Sequence, residues 1–321
     1  MMAGMAADAV LSAKESSDPE DTLPNPGDED KTGGRDILDD DDQDPTSNDL
    51  DPRPDPGQTL RGGTVGDILS GADGDDLIDG LDGNDLLDGR GGDDLIDAGA
   101  GQDAVWGGAG ADTLLAGDGN DSVQGQDGND LNDGGLGDDS LAGHSGDDTV
   151  YGGAGADTLL GGEGNDTLAG GAGTDWLAGG WGADTLQGGA GADILDGGAG
   201  DDWLSGLMGE VDDFETDYLN GGTGDDTLVL GSGDHAFGDE GADDFILHDW
   251  LIEGGVAHIS DYDAGSDKLI VVYDPQAHPD PILSLAMNAA GTESTLMLDG
   301  SPVATVRGDA VTLADIALTR A

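Results

Sequence analysis

Sixteen aspartates stand nine residues apart without a slip: Asp67, Asp76, Asp85, Asp94, Asp103, Asp112, Asp121, Asp130, Asp139, Asp148, Asp157, Asp166, Asp175, Asp184, Asp193 and Asp202. Asp217, Asp226 and Asp243 continue the series after a looser stretch. Asp is a short-armed carboxylate, and beside Gly it marks turns and oxygen-ligand loops rather than helix faces. A periodic row of such groups is a donor set for a hard cation, so these nineteen residues are the candidate metal ligands.

The elements that must position them follow from the residues in between. Residues 62–205 read as sixteen units of the form G-G-x-G-x-D-x-U-x, where U is aliphatic. The fourth position is Gly except at Val65, and the eighth is aliphatic except at Asn132. Gly permits tight reversal with positive φ, so the first six positions predict a turn, while the last three carry side chains suited to a short strand. Two units then make one coil of 18 residues, with the eighth positions facing inward from two parallel sheets and successive coils about 4.8 Å apart. Sixteen units predict about eight coils.

One aliphatic side chain per nine residues is too little burial to offset the entropy of ordering the chain, and the coils would stack Asp over Asp. A hard divalent ion with six to eight oxygen ligands removes both problems by taking carboxylates and exposed turn carbonyls together. Calcium suits this better than magnesium, which is smaller and sheds water reluctantly. The charge agrees: residues 62–205 hold 30 Asp and Glu163 against Arg90, a surplus of 30. One calcium in each of seven gaps on each side would bring about 14 ions and about 28 positive charges.

Composition narrows the partners. The formal charge of −62 argues against a nucleic-acid groove binder and against adhesion to anionic lipid. No run of 18 apolar residues suggests a membrane span. The chain has no Cys, which removes disulfides, zinc ribbons and thiol catalysis. The opening residues 1–8 lack the basic n-region and apolar run of a secretory signal, so any export is expected to use another route. Residues 1–61, with acid at Asp39–Asp42 and scattered Pro, are expected to be a disordered acidic arm.

These residues resemble the repeats-in-toxin (RTX), hemolysin-type, calcium-binding β-roll proteins, over about residues 62–246. The segment 259–269, Ile-Ser-Asp-Tyr-Asp-Ala-Gly-Ser-Asp-Lys-Leu, is similar to the I-x-D-F-x-x-G-x-D-x-I segment that ends many such rolls. The resemblance implies an all-β fold, a right-handed parallel β-roll (β-solenoid) that binds several Ca2+ ions. It also implies export through type I secretion machinery by a C-terminal signal, with folding outside the cell. Residues 247–321 are then expected to be a C-terminal β cap, with short strands at 245–247, 258–260 and 268–273. A hairpin follows at 295–298 and 303–306, turning at Asp299-Gly300, and then a last apolar segment at 311–318. The departures at Val65, Asn132, the six extra residues in 206–220, and His235 standing where Asp belongs put single sites in question. A weak or missing ion is expected beside His235.

Other chemistries fit poorly. An EF-hand needs a Glu at loop position 12 and flanking helices. His144, His235, His248, His258 and His278 form no H-E-x-x-H, and no G-x-S-x-G occurs. The expectation is a secreted, non-enzymatic, calcium-binding protein located outside the cell. The alternative is an adhesin, matrix or surface-layer component that uses the roll as scaffold. Trp106, Trp176, Trp181, Trp203 and Tyr151, which lie off the eighth-position register, would then meet a surface or polysaccharide. An enzyme confined to 247–321 would lack a nucleophile constellation.

Overall fold

The computed structural model describes residues 57–207, 209, 212–248, 255–308 and 311–321. The expected arm falls almost wholly on 1–56, outside the described residues. Its last stretch does not behave as expected: Thr59–Arg61 is already a strand, paired in parallel with Leu77–Asp79.

Among the described residues the chain is all strand and turn, wound so that alternate strands fall into two sheets of 13 and 14 members. Pairing is parallel in steps of 18 residues; Leu141 lies beside Leu159, and Leu159 beside Leu177. This is the expected parallel β-roll, with two nonapeptides per coil. The strands, however, are mostly six residues long rather than three. Thr158–Glu163, for example, runs from the seventh position of one unit to the third of the next. The glycine pair continues the ladder because it lies against the same pair one coil away. At Gly153, with φ of 102°, an added Cβ would run into the carbonyl of Gly135. Only the fourth to sixth positions are left to turn the chain.

The eighth positions form one internal file per sheet. Ile78, Leu87, Ile96, Val105, Leu114, Leu159, Leu168, Leu177, Leu186, Leu195 and Leu204 are fully buried, and they belong to a single continuous core. Trp176, Trp181, Trp203 and Tyr151 are exposed on the outside, off that file.

The sheets do not stop at Ile246. Ala257–Tyr262 and Lys268–Tyr273 extend them in parallel, and Ile316–Arg320 adds the last strand beside Lys268–Tyr273. Larger side chains fill this end, including Phe245 and Tyr262 with ring centroids 6.4 Å apart. The expected hairpin is present: Glu293–Leu298 pairs antiparallel with Ser301–Gly308, and Asp299 and Gly300 turn the chain with φ of 51° and 86°. Leu283–Met287 pairs with the first of these strands, and Ser301–Gly308 docks in parallel on Ala257–Tyr262.

Candidate metal centre

Each coil brings two sixth-position aspartates to the ends of the strands, one on each side of the roll. The backbone N–H of one such Asp donates to Oδ1 of the Asp one coil further on, so the carboxylates are strung into two columns. One column runs through Asp67, Asp85, Asp103, Asp121, Asp139, Asp157, Asp175, Asp193 and Asp217, at 2.7–3.0 Å per link, and closes on Asp234. The other runs through Asp76, Asp94, Asp112, Asp130, Asp148, Asp166, Asp184, Asp202, Asp226 and Asp243, at 2.7–3.2 Å, and closes on Asp267.

The second carboxylate oxygen is the informative one. Oδ2 is buried with no hydrogen-bond partner in Asp85, Asp94, Asp103, Asp112, Asp121, Asp130, Asp139, Asp148, Asp157, Asp166, Asp175, Asp184, Asp193, Asp202 and Asp226. These residues are at most 3% exposed, so water does not satisfy the oxygen either. In thirteen of these fifteen, Oδ2 lies against the first-position glycine of its own unit; in the units of Asp103 and Asp121 that position is Ala98 and Ala116. At Gly161 a Cβ would occupy the space that Asp166 Oδ2 shares with the carbonyl oxygen of Gly179 from the next coil. Carboxylate and carbonyl oxygens thus face one small volume kept open by glycine. Asp67 and Asp76, at the start of the roll, differ: their Oδ2 atoms accept the N–H groups of Gly63 and Ala72 at 2.6 and 2.7 Å.

Leaving an acceptor buried and unpaired is costly, and leaving it charged costs more. The carboxyl groups register this. Burial above all, then the neighbouring carboxylates, pushes Asp94, Asp103, Asp112, Asp130, Asp139, Asp175, Asp193 and Asp243 up to about 6, against a downward pull from the amide each accepts. Asp166 and Asp202 rise to about 7 for the same reasons. Asp121, Asp148, Asp157, Asp184 and Asp226 are also raised, again chiefly by burial.

Among the described residues, no three His, Cys, Asp or Glu side chains converge as a metal cage. A cation here must therefore draw on backbone carbonyls as well as carboxylates. That donor set is all oxygen, which suits calcium and is foreign to zinc or copper.

Two register residues escaped the count by nines. The unit after 221–229 is one residue short, so the pairing sets His235 beside Tyr218 and Ala236 beside Leu219. His235 is thus at the seventh position, and the expectation that it replaces an Asp is corrected: Asp234 occupies the sixth position and accepts the Asp217 N–H at 3.0 Å. Asp267 does the same for Asp243 at 3.2 Å. Both were legible as D-x-U triplets, Asp234-His-Ala and Asp267-Lys-Leu, once strand register rather than spacing set the frame.

A second ladder lay outside the sequence reading altogether. Wherever the fifth position is Asp or Asn, its Oδ1 accepts the N–H of the fifth-position residue one coil on, as from Asp138 to Ala156 and from Asn165 to Ala183, both at 2.9 Å. It runs in the opposite sense to the sixth-position columns and is exposed.

A parallel solenoid with stacked, partly unpaired carboxylates beneath turn carbonyls defines a calcium-binding repeat protein. The RTX calcium-binding nonapeptide repeat (4 copies) matches residues 61–96, 70–105, 80–114, 106–141, 142–177, 151–186, 178–210 and 214–245, and the chain belongs to that family. No curated protein matches the chain.

Proposed function

We propose that this chain is a secreted protein whose roll is closed by calcium outside the cell, the ions acting as structural staples rather than as parts of a catalyst. The observation that carries the reading is the set of fifteen buried, unpartnered Oδ2 atoms, nine of them sharing the space beside a first-position glycine with a carbonyl from the adjoining coil. A bound calcium would use those oxygens and cancel the repulsion within each column. Ligands are the nineteen aspartates from Asp67 to Asp243 named from the sequence, together with Asp234. Residues 1–58 serve as an acidic arm, 59–246 as the roll, and 247–321 as a cap that carries the address for a type I channel. In a calcium-poor cytosol the columns repel, the chain stays open, and export precedes folding. Affinities suited to extracellular sites are on the order of 10^-4 to 10^-3 M.

Circular dichroism of the full chain with calcium and after chelation tests this. Strand signal should appear with calcium and fall on its removal; an unchanged spectrum overturns the reading.

A second reading, an adhesin or surface-layer scaffold, draws on the exposed column Trp176, Ile194 and Tyr218, which are neighbours on one sheet. Pull-down on cells or polysaccharide after Trp176 substitution separates the two, since calcium binding survives that change.

A further inference from the structure

Trp176, Ile194 and Tyr218 are register partners on successive strands of the 14-stranded sheet, all at the seventh position and on its outer face. At the ninth position, Asp196, Asn220 and Phe237 are partners in the same way, one strand further along. The eighth positions between the two rows, Leu195 and Leu219, turn inward and are fully buried. The rows therefore flank a trough along the roll axis that holds about 240 Å3. Three strand spacings separate Trp176 from Phe237, about 14 Å in all.

The walls are apolar and open, since Trp176, Ile194, Tyr218 and Phe237 are all exposed. Tyr218 gives one ring face to His235, 4.9 Å away and nearly parallel, so Trp176 and Phe237 are the rings offered at the two ends. The polar side chains between them are chiefly acceptors. Asn220 Nδ2 donates to Asp196 Oδ1 at 3.3 Å and the same amide bonds Asp239, while Asn220 Oδ1 has no partner. The Asp239 carboxyl is raised, first by burial and then by the charges of Asp261 and Asp196. No Lys or Arg occurs from residue 91 to residue 267, so these coils supply no countercharge of that kind.

A ligand suited to this trough is long, has flat apolar faces and brings donors. Nucleic acid, uronate and phosphate chains bring acceptors and like charge. A peptide strand brings a carbonyl for nearly every N–H, and those carbonyls would find few donors here. A sugar ring packs its C–H face on an aromatic ring and carries its donors at the edge, and an amine adds a positive charge that aromatic faces and carboxylates both attract. We propose that the trough binds a chain of amine-bearing sugars, with Trp176 and Phe237 holding ring faces and Asp196 and Asn220 taking donors. The inference rests on the reading of the roll as a scaffold that meets a surface, and names the chemistry of that surface.

Calorimetry of the calcium-loaded full chain with a glucosamine oligomer, in about 0.15 M salt to screen bulk charge, tests it. Binding should weaken by about tenfold or more in Trp176→Ala and in Phe237→Ala. It should stay at the wild-type level in Trp203→Ala, which removes an exposed ring from the other sheet. The N-acetylated oligomer, with the same rings and no charge, should bind about tenfold more weakly than the amine. If both trough variants bind as the wild type does, only the acidity of the whole chain is at work; the trough is refuted and the scaffold reading stands. Equal binding of the two oligomers also overturns the proposal. If the chain is retained on no cell and no polysaccharide, the scaffold reading falls with it. Should Trp176→Ala lose its calcium-dependent strand signal, Phe237→Ala decides.

Discussion

The N–H of Asp148 donates to Oδ1 of Asp166, one coil on, at 2.8 Å, and Asp166 Oδ2 is left buried without a partner. One oxygen of each carboxylate is therefore spent on holding adjacent coils in register. In fifteen of them the other has no protein partner, and at Asp166 it shares the space beside Gly161 with the Gly179 carbonyl. Structure and ion binding are divided between two atoms of one side chain.

Replacing Asp148 by Asn removes a charge from the middle of a column. Because Asp148 lies between Asp130 and Asp166 in that column, binding in both adjoining gaps should weaken by about tenfold or more. Asp8→Asn, in the arm, should leave the calcium isotherm unchanged. Calorimetry on the two variants checks this, and equal effects would contradict the assignment of ligands.

The metal-free roll should depend on pH in the direction opposite to most folded proteins. Asp94, Asp103, Asp112, Asp130, Asp139, Asp175, Asp193 and Asp243 are raised from 3.8 to about 6, and Asp166 and Asp202 to about 7. The folded state then holds more protons than the unfolded chain between about pH 4 and 7, so stability is greatest at the acid end and is lost as pH rises through that window. Chelated protein should show more strand signal at pH 5 than at pH 8. Calcium affinity should move the other way, since ions need the deprotonated carboxylates. Circular dichroism at several pH values, with and without calcium, measures both slopes.

Asn132 occupies an eighth position and is 0% exposed; its Nδ2 donates to the Ala142 carbonyl at 3.2 Å, but its Oδ1 has no partner. Asn132→Leu restores the aliphatic file and removes the unpaired acceptor. We expect a gain of about 1–2 kcal/mol, read from denaturant unfolding in saturating calcium.

At Gly161 an added methyl group would collide with Asp166 Oδ2 and with the Gly179 carbonyl. Gly161→Ala should cost about 1–3 kcal/mol in the calcium-loaded protein through overpacking, and should weaken binding locally. A calcium midpoint equal to the wild type would show that this space is not where the ion sits.

Much of the molecule was written in its one-dimensional pattern. The spacing of Asp67 through Asp202, with an aliphatic residue two positions after each but Asp130, specifies coil length, the inward file and the carboxylate columns, because a repeat that cannot bury its own face must stack on its copies. What spacing could not settle was everything that depends on contact between coils. Counting by nines put His235 in the aspartate register, whereas strand pairing put Asp234 there, since parallel ladders align backbone groups and let a turn lose a residue. Asp267 joined its column for the same reason. The fifth-position ladder, the length of the strands through the glycine pairs, and the Asp213 carboxylate that accepts the Gly191 N–H all arise between residues 17 to 24 positions apart. Such relationships are decided by which backbone amide is left without an acceptor once the coils are stacked, and only the folded chain poses that question.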